Sequence, residues 1–340
     1  MSERTPTLED VARAAGVSRA TVSRVVNGIR NVDPQIQERV RAAVAATGYS
    51  PNRAARSLAT RRANSVALVV SGPGEDACTS RVFADPFFGR IAGGIVLSLR
   101  REGIHPVLML ADTDEARDDV LTGLRRGDAD GALLVSTHVH DPLPAMLAGA
   151  GVPAVLFSRP VRPVEISYVE VDNHAGAALA ADHLLARGRE RLATITGPAG
   201  VPVSQDRLTG FREALARHGL HRVPVAEGDF TQDGGEAAML ALLAEHPGLD
   251  GVFAANDLMA QGAIAVLRDH GRAVPDDVAV IGFDDGAPAQ SSRPRLTTIR
   301  QPVEDMAAEM ATLLLTRLAA PATPPTSVIF APTLIPRAST

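Results

Sequence analysis

From Ser65 onward, short apolar runs alternate with longer stretches of helical periodicity, and this alternation constrains the fold more than any other feature of the chain. The runs "SVALVV" (65–70), "HPVLML" (105–110), "GALLV" (131–135), "VPAVLF" (152–157), "RLATIT" (191–196), "GVFAA" (251–255) and "VAVIGF" (278–283) read as buried parallel strands. A strand covered on both faces needs no polar alternation. Between them, "FFGRIAGGIVLSLRREG", "AGAALAADHLLARG", "RLTGFREALARHG" and "DLMAQGAIAVLRDHG" each end at a glycine. Glycine readily takes the left-handed conformation that closes a helix. The order predicts a doubly wound α/β architecture, in which ligands sit beyond the carboxyl ends of the strands.

The first 64 residues differ in kind. They carry 11 Arg against 5 acidic residues, whereas the remainder carries 23 against 34, so a net charge of −5 hides a basic N-terminal module on an acidic body. That distribution is the footprint of a nucleic-acid reader joined to something else. All basic residues are arginine, whose planar fork suits phosphate and guanine edges.

Within this module Thr7 is placed to cap a helix with Val11, Ala12 and Ala15 on one face, and Gly16 supplies the turn. Ser18 caps a second helix whose apolar side is Val22, Val25 and Val26, leaving Arg19, Ala20, Ser23, Arg24 and Asn27 on the other. This is helix-turn-helix spacing, and in that motif the second helix enters the major groove. A third helix starts at Asp33 with Pro34 in its first turn, turns Ile36, Val40 and Val44 inward, and stops at Gly48. "SPNRAARSLATRRAN" could form one more short helix or serve as a basic linker. Such a helix is marginal in isolation.

Several classes are disfavoured. No apolar run is long enough to span a bilayer, and "MSERTPTLED" lacks the features of a secretory signal, so a cytoplasmic protein is expected. Cys78 is the only cysteine, which rules out an intrachain disulfide and a cysteine metal cluster. There is no GxxxxGK[ST], no GxGxxG opening a helix after a strand, no HExxH and no GxSxG. Catalysis, cofactor and metal are not expected. An exported solute-binding protein would have no use for residues 7–59.

In order along the chain, "TLEDVARAAGVSRATVSRVVNG", "GYSPNRAARSLATRR", "DPFFGRIAGGI", "VEVDNHAGAALAADHLLARG", "DRLTGFREAL", "VFAANDLMAQGAIAVLRDHG", "VAVIGFDD", "LTTIRQP" and "LIPRAST" resemble the lactose-repressor (LacI/GalR) family of bacterial transcription regulators. The resemblance implies a helix-turn-helix headpiece (1–49), a hinge helix and linker (50–64), and a periplasmic-binding-protein-like domain (65–340). It divides that domain into an N-lobe of about 65–166 and 298–328 and a C-lobe of about 167–297 and 329–340.

By the same resemblance, Arg19, Ala20 and Arg24 are the main base-reading positions, with Thr7, Ser18, Thr21, Ser23 and Asn27 around them. Leu58 is the minor-groove wedge, supported by Asn52 and Arg53. The implied effector site takes Phe87, Phe88, Arg159, Arg207, Phe230, Asn256 and Asp284 from separate loops. Its carboxylate, guanidinium and aromatic groups suit a polyhydroxylated ligand, a sugar or sugar derivative; a nucleoside or another small metabolite remains an alternative. The implied partners are double-stranded operator DNA, a small-molecule effector and a second copy of the chain. The helix beginning "FFGRIAGG" is the implied dimer surface, and "RAST" at the end leads us to expect no tetramer-forming tail.

Overall fold

A computed structural model of the 340-residue chain describes residues 6–26, 32–49, 62–72, 85–136 and 140–340. Asn27, Asn52, Arg53, Leu58 and Cys78 lie outside the described residues, as does most of the expected hinge. The chain divides into two compact units, residues 1–65 with 127–130, and residues 66–126 with 131–340.

The first unit contains α1 (Leu8–Ala15), α2 (Arg19–Val26) and α3 (Pro34–Thr47). Each start has a local cause. The amide and hydroxyl of Thr7 both donate to Asp10 Oδ2, at 2.9 and 2.8 Å. Ser18 Oγ accepts from the amide of Thr21 at 3.1 Å. Asp33 accepts from Gln35 and Ile36, with Pro34 needing no partner. Gly16 turns the chain at φ +64°, where a Cβ would stand 3.1 Å from Arg39 Nη2, and that guanidinium donates to the carbonyl of Ala15 at 2.6 Å. Val11, Ala12, Ala15, Val22, Val40 and Ala43 form the core.

In the second unit, β1 (Ser65–Ser71), α4 (Pro86–Arg101), β2 (His105–Ala111), α5 (Asp114–Arg126), β3 (Ala132–Ser136), α6 (Leu143–Gly149), β4 (Ala154–Phe157) and β5 (Ser167–Val171) come first. They are followed by α7 (Asn173–Ala186), β6 (Leu192–Thr196), α8 (Pro202–Arg217), β7 (Val225–Glu227), α9 (Gln232–Glu245), β8 (Gly251–Ala254), α10 (Asp257–Asp269) and β9 (Ala279–Asp284). The chain ends with α11 (Ala287–Ser291), β10 (Thr297–Arg300), α12 (Val303–Ala319), β11 (Ser327–Phe330) and β12 (Thr333–Ile335). Two six-stranded sheets result, ordered β11-β5-β4-β3-β1-β2 and β12-β10-β9-β8-β6-β7. Strand β12 runs antiparallel to β10, whereas β1, β3, β4, β5 and β11 pair in parallel, as do β6 to β10. In the second sheet, Leu192, Phe253, Ala279 and Ile281 face the cluster containing α7 and α8 residues. Ala193, Ile195, Val252 and Val280 face α9 and α10 instead. Both faces are covered, which is why these strands read as continuous apolar runs. The glycines closing the four helices recognised from sequence, Gly103, Gly188, Gly219 and Gly271, all have positive φ.

Two expectations change. The "HPVLML" run is not buried: β2 is an edge strand, with Val107, Leu108 and Leu110 exposed by 41, 51 and 40%. An apolar run alone does not distinguish a covered strand from one left open on a face. The strands also shift the lobe boundaries. Strand β5 belongs to the first sheet and β10 to the second, so the chain crosses between lobes at Asp172, at Gln301–Pro302 and at Ala331–Pro332, a few residues from the estimates at 166, 298 and 329. The amide of Asp172 donates to Phe330 O at 2.9 Å, tying two of these crossings together.

Helix α8 packs closely on α7 at Gly210, where a Cβ would lie 2.2 Å from the carbonyl oxygen of His174. Gly93 on α4 has nothing within 4 Å of that position. Gly210→Ala is expected to destabilise by about 1–3 kcal/mol, because a backbone atom cannot yield cheaply, and Gly93→Ala to stabilise by roughly 0.5–1 kcal/mol. Urea unfolding of the two variants checks this, and equal effects would contradict the packing assignment.

Candidate ligand cleft and nucleic-acid interface

On the first unit, α2 exposes Ser18, Arg19, Ala20 and Arg24 beside half-buried Thr21 and Ser23, while Val22 points into the core. The hydroxyls of Ser18 and Thr21 lie 2.9 Å apart. Arg19 Nη1 stands 3.2 Å from Glu9 Oε1 on α1, both side chains being more than half exposed. The guanidinium groups and small side chains thus share one open face of a short helix. That arrangement can contact phosphates and base edges.

In the second unit, a cleft of about 660 Å³ opens between the sheets. Its walls come from the ends of strands: Ser158 and Arg159 follow β4, Asn173 follows β5, Phe230 follows β7, Asn256 follows β8, Asp284 ends β9 and Gln301 follows β10. All seven cleft residues expected from sequence line this one space. Phe88 also belongs to the first-lobe core, and Phe87 meets Phe157 edge-on with centroids 5.5 Å apart. Phe230 sits at φ +65° with its ring over Gly197, where a Cβ would come within 2.1 Å of Cζ. Asn256 donates to Phe230 O at 2.8 Å and caps α10 through the amide of Met259.

The polar pole of the cleft is built around Arg207, which is 4% exposed. Its Nε donates to Asn173 Oδ1 at 2.9 Å, its Nη1 donates to Ala255 O and stands 3.9 Å from Asp284 Oδ1, and its guanidinium carbon lies 3.7 Å from the Phe283 ring centroid. Asp284 accepts from Gln301 Nε2, and its own carbonyl accepts from Arg90 Nη1 at 2.9 Å. Arg90 in turn holds both carboxylate oxygens of Glu304 at 2.7 and 2.9 Å. Asp85 caps α4 through the amide of Phe87. Asp257 accepts from Thr298 and Gly286. Asp285, outside the cleft, pairs with Arg300 and Arg337.

Burial dominates the electrostatics. It lifts Asp284 to about 7 even though Arg207 works against it. It also raises Asp85 and Glu170 and pushes Asp257 well above the carboxylate range, the last with help from Asp284. It lowers Arg207, with the neighbouring carboxylates opposing. The pole therefore presents donors and acceptors in a buried, acid-rich setting suited to hydroxyl groups, with aromatic walls for apolar ring faces. Among the described residues no three His, Cys, Asp or Glu side chains are placed to hold a metal ion.

Asp85, Asn173, Glu170 and Gln301 were not singled out from sequence. Only Asp85 carries a local signal, an N-cap before Pro86. Asn173 and Gln301 reach the pole through contacts 34 and 17 positions apart, and Glu170 lines the cleft beside Ser158.

A family model described as bacterial regulatory proteins, lacI family, matches residues 7–52, and one described as a periplasmic binding protein-like domain matches residues 181–340. The chain is 44% identical over 340 residues to the HTH-type transcriptional regulator CelR of Thermobifida fusca, spanning 99% of this chain and 98% of that one. Among solved structures, a transcriptional regulator CelR–cellobiose complex is similar with a TM-score of 0.76 at 42% identity, covering 98% of this chain and 100% of that chain. A lac repressor dimer bound to operator and the anti-inducer ONPF matches with a TM-score of 0.84 at 27% identity, covering 99% of each chain.

The raised Asp284 gives a pH dependence of defined sign. The native state holds this proton up to about pH 7, whereas an unfolded carboxyl releases it near its ordinary 3.8. The stabilisation is thus complete at low pH and is lost as pH climbs through that window. Asp284→Asn lacks this loss, so its stability relative to the parent should improve between about pH 5 and pH 8. Urea unfolding at both pH values measures it, and a pH-independent difference would show that the carboxyl titrates normally.

Proposed function

The chain belongs to the lacI family of bacterial regulatory proteins, and from that premise we propose that it is a homodimeric repressor whose hold on a palindromic operator is set by a sugar in the cleft. The observation that carries this reading is the gathering of seven residues, from widely separated stretches of chain, onto the wall of one cleft. A polar pole opposite aromatic walls is a binding site, and we assign it no reaction.

In this reading residues 1–49 are the headpiece, 50–64 the hinge and 65–340 the effector domain. Arg19 and Arg24 take guanine edges, the Ala20 methyl meets thymine, and Thr7, Ser18, Thr21, Ser23 and Asn27 position the helix on the backbone. Leu58, with Asn52 and Arg53, is the minor-groove wedge, a role resting on sequence alone. Val96 and Leu97 on α4 and Leu108 and Leu110 on β2 are exposed apolar side chains, and they are assigned to the face that a second copy covers. The protein acts in the cytoplasm, where its DNA is.

The effector is a neutral sugar of the class that cellobiose represents. The relation to CelR supports this, and so does the pole, where Asp85, Asp257 and Asp284 lie about the buried guanidinium of Arg207. Those carboxylates disfavour a phosphorylated ligand.

The test begins with duplexes selected from a random library by the purified protein, titrated with cellobiose. Cellobiose is expected to change operator affinity, and at 100 times its dissociation constant to add about 2.7 kcal/mol of stability. In Arg207→Ala and Asp284→Ala both responses should vanish while sugar-free DNA binding persists; a retained response in both variants refutes the cleft assignment. Arg24→Ala should cost about 1–3 kcal/mol and relax selection at one base position. Uniform weakening on every sequence would remove its base-reading role.

A further inference from the structure

Arg159, which lines the cleft, extends its guanidinium across the rim. It leaves the first lobe just after β4 and reaches Asp206 on α8 of the second lobe, with Nη2 at 2.6 and 2.7 Å from the two carboxylate oxygens. The arginine side chain is 51% exposed and the aspartate 24%, which sets the pair at the rim. Asp206 directly precedes Arg207, so whatever holds it also holds the stretch of α8 that carries the polar pole.

A second carboxylate lies beside the Arg159 backbone on the first lobe. Glu170, on β5, is buried and accepts from Ser158 Oγ at 3.1 Å. Ser158 has φ +74° and is pinned by its amide to Val169 O at 2.7 Å, which fixes the stem from which Arg159 projects. Burial pushes the Glu170 carboxyl up, while the guanidinium and backbone amide of Arg159 draw it back down. Arg159 therefore stands between an acid across the cleft and an acid on its own lobe.

We propose that Arg159 and Asp206 form a clasp across the cleft rim that regulates lobe closure and ligand release, and that Glu170 is the partner to which Arg159 turns when the lobes part. The clasp deepens the sugar-binding reading of the preceding subsection, on which its ligand arm rests. Asp206 is a positioning residue, acting through Arg159 and through α8. The two pairings of one guanidinium supply two discrete states, which a graded surface attraction would not. Because the pair is half exposed, its effect is modest and screened by salt.

Two readouts test the clasp. In a Cys78→Ser background, spin labels introduced at exposed Asp119 and Glu245, one on each lobe, report the interlobe distance in sugar-free protein. Stopped-flow displacement reports cellobiose release. Asp206→Asn and Arg159→Gln should widen the distance distribution and speed release by roughly two- to fivefold, whereas Glu170→Gln should narrow the distribution in sugar-free protein. Raising salt should mimic Asp206→Asn in the parent and have little effect in that variant. Opposite signs for Asp206→Asn and Glu170→Gln support the clasp, since general loosening of the fold moves both the same way. Unchanged distances in Asp206→Asn, or shifts of one sign in both, overturn it. If the parent fails to bind cellobiose, the sugar reading falls while the distance measurements still decide the clasp.

Discussion

A guanidinium taken almost wholly out of water sets the terms for the second unit. Desolvating such a charge costs several kcal/mol unless its donors are met. Arg207 meets that demand with Asn173 from the start of α7, the carbonyl of Ala255 after β8, the carboxylate of Asp284 at the end of β9 and the face of Phe283. Three stretches of chain must converge on α8 for one side chain to be tolerated there. The dependence also runs the other way. Asp284 is buried at φ +112°, and with Arg207 gone it would be left facing Asp85 and Asp257 with its main electrostatic support removed.

One partner of this charge, and one partner of its carboxylate, stand where the chain changes lobe. Asn173 follows the crossing at Asp172, and Gln301, which donates to Asp284, is itself a crossing residue. A ligand that contacts the pole therefore contacts atoms whose positions depend on the angle between lobes. It can shift that angle only by as much as it prefers one arrangement. Arg90 extends the connection: it binds the carbonyls of Asp284 and Gln301 and the carboxylate of Glu304, tying α4 to the crossing. Further along the same helix, Gly94 packs onto Ala307 so closely that a Cβ would fall 2.7 Å away, and Val96 and Leu97 face outward. One helix thus joins the pole to the open apolar surface without an intervening flexible segment.

Local pattern revealed what local physics controls. Helix stops at Gly103, Gly188, Gly219 and Gly271 and helix starts at Thr7, Ser18 and Asp33 depend on a few neighbouring residues, and they were legible. So were strands covered on both faces. The edge position of β2 was not, because whether a face is covered is decided elsewhere in the chain. Strand β7, the three-residue β12 and the crossings carry too few residues for a period to show. In the cleft, family resemblance located Arg159 and Arg207, but Asp206 between them in role and Gln301 behind Asp284 act through pairings 47 and 17 positions apart. No spacing along the chain encodes such a pairing.

The first unit follows a different economy, since its functional face is open rather than buried. Arg19 pairs with Glu9 at 3.2 Å, with the two side chains 68% and 52% exposed. Such a pair is worth at most about 1 kcal/mol, whereas a bidentate arginine–guanine contact discriminates by about 1–3 kcal/mol. For the base reading proposed here, release from Glu9 is affordable against a matched base and leaves less margin against a lone phosphate. The Glu9 pairing therefore subtracts a similar release cost from either target, and a matched base outweighs that cost by more than a lone phosphate does.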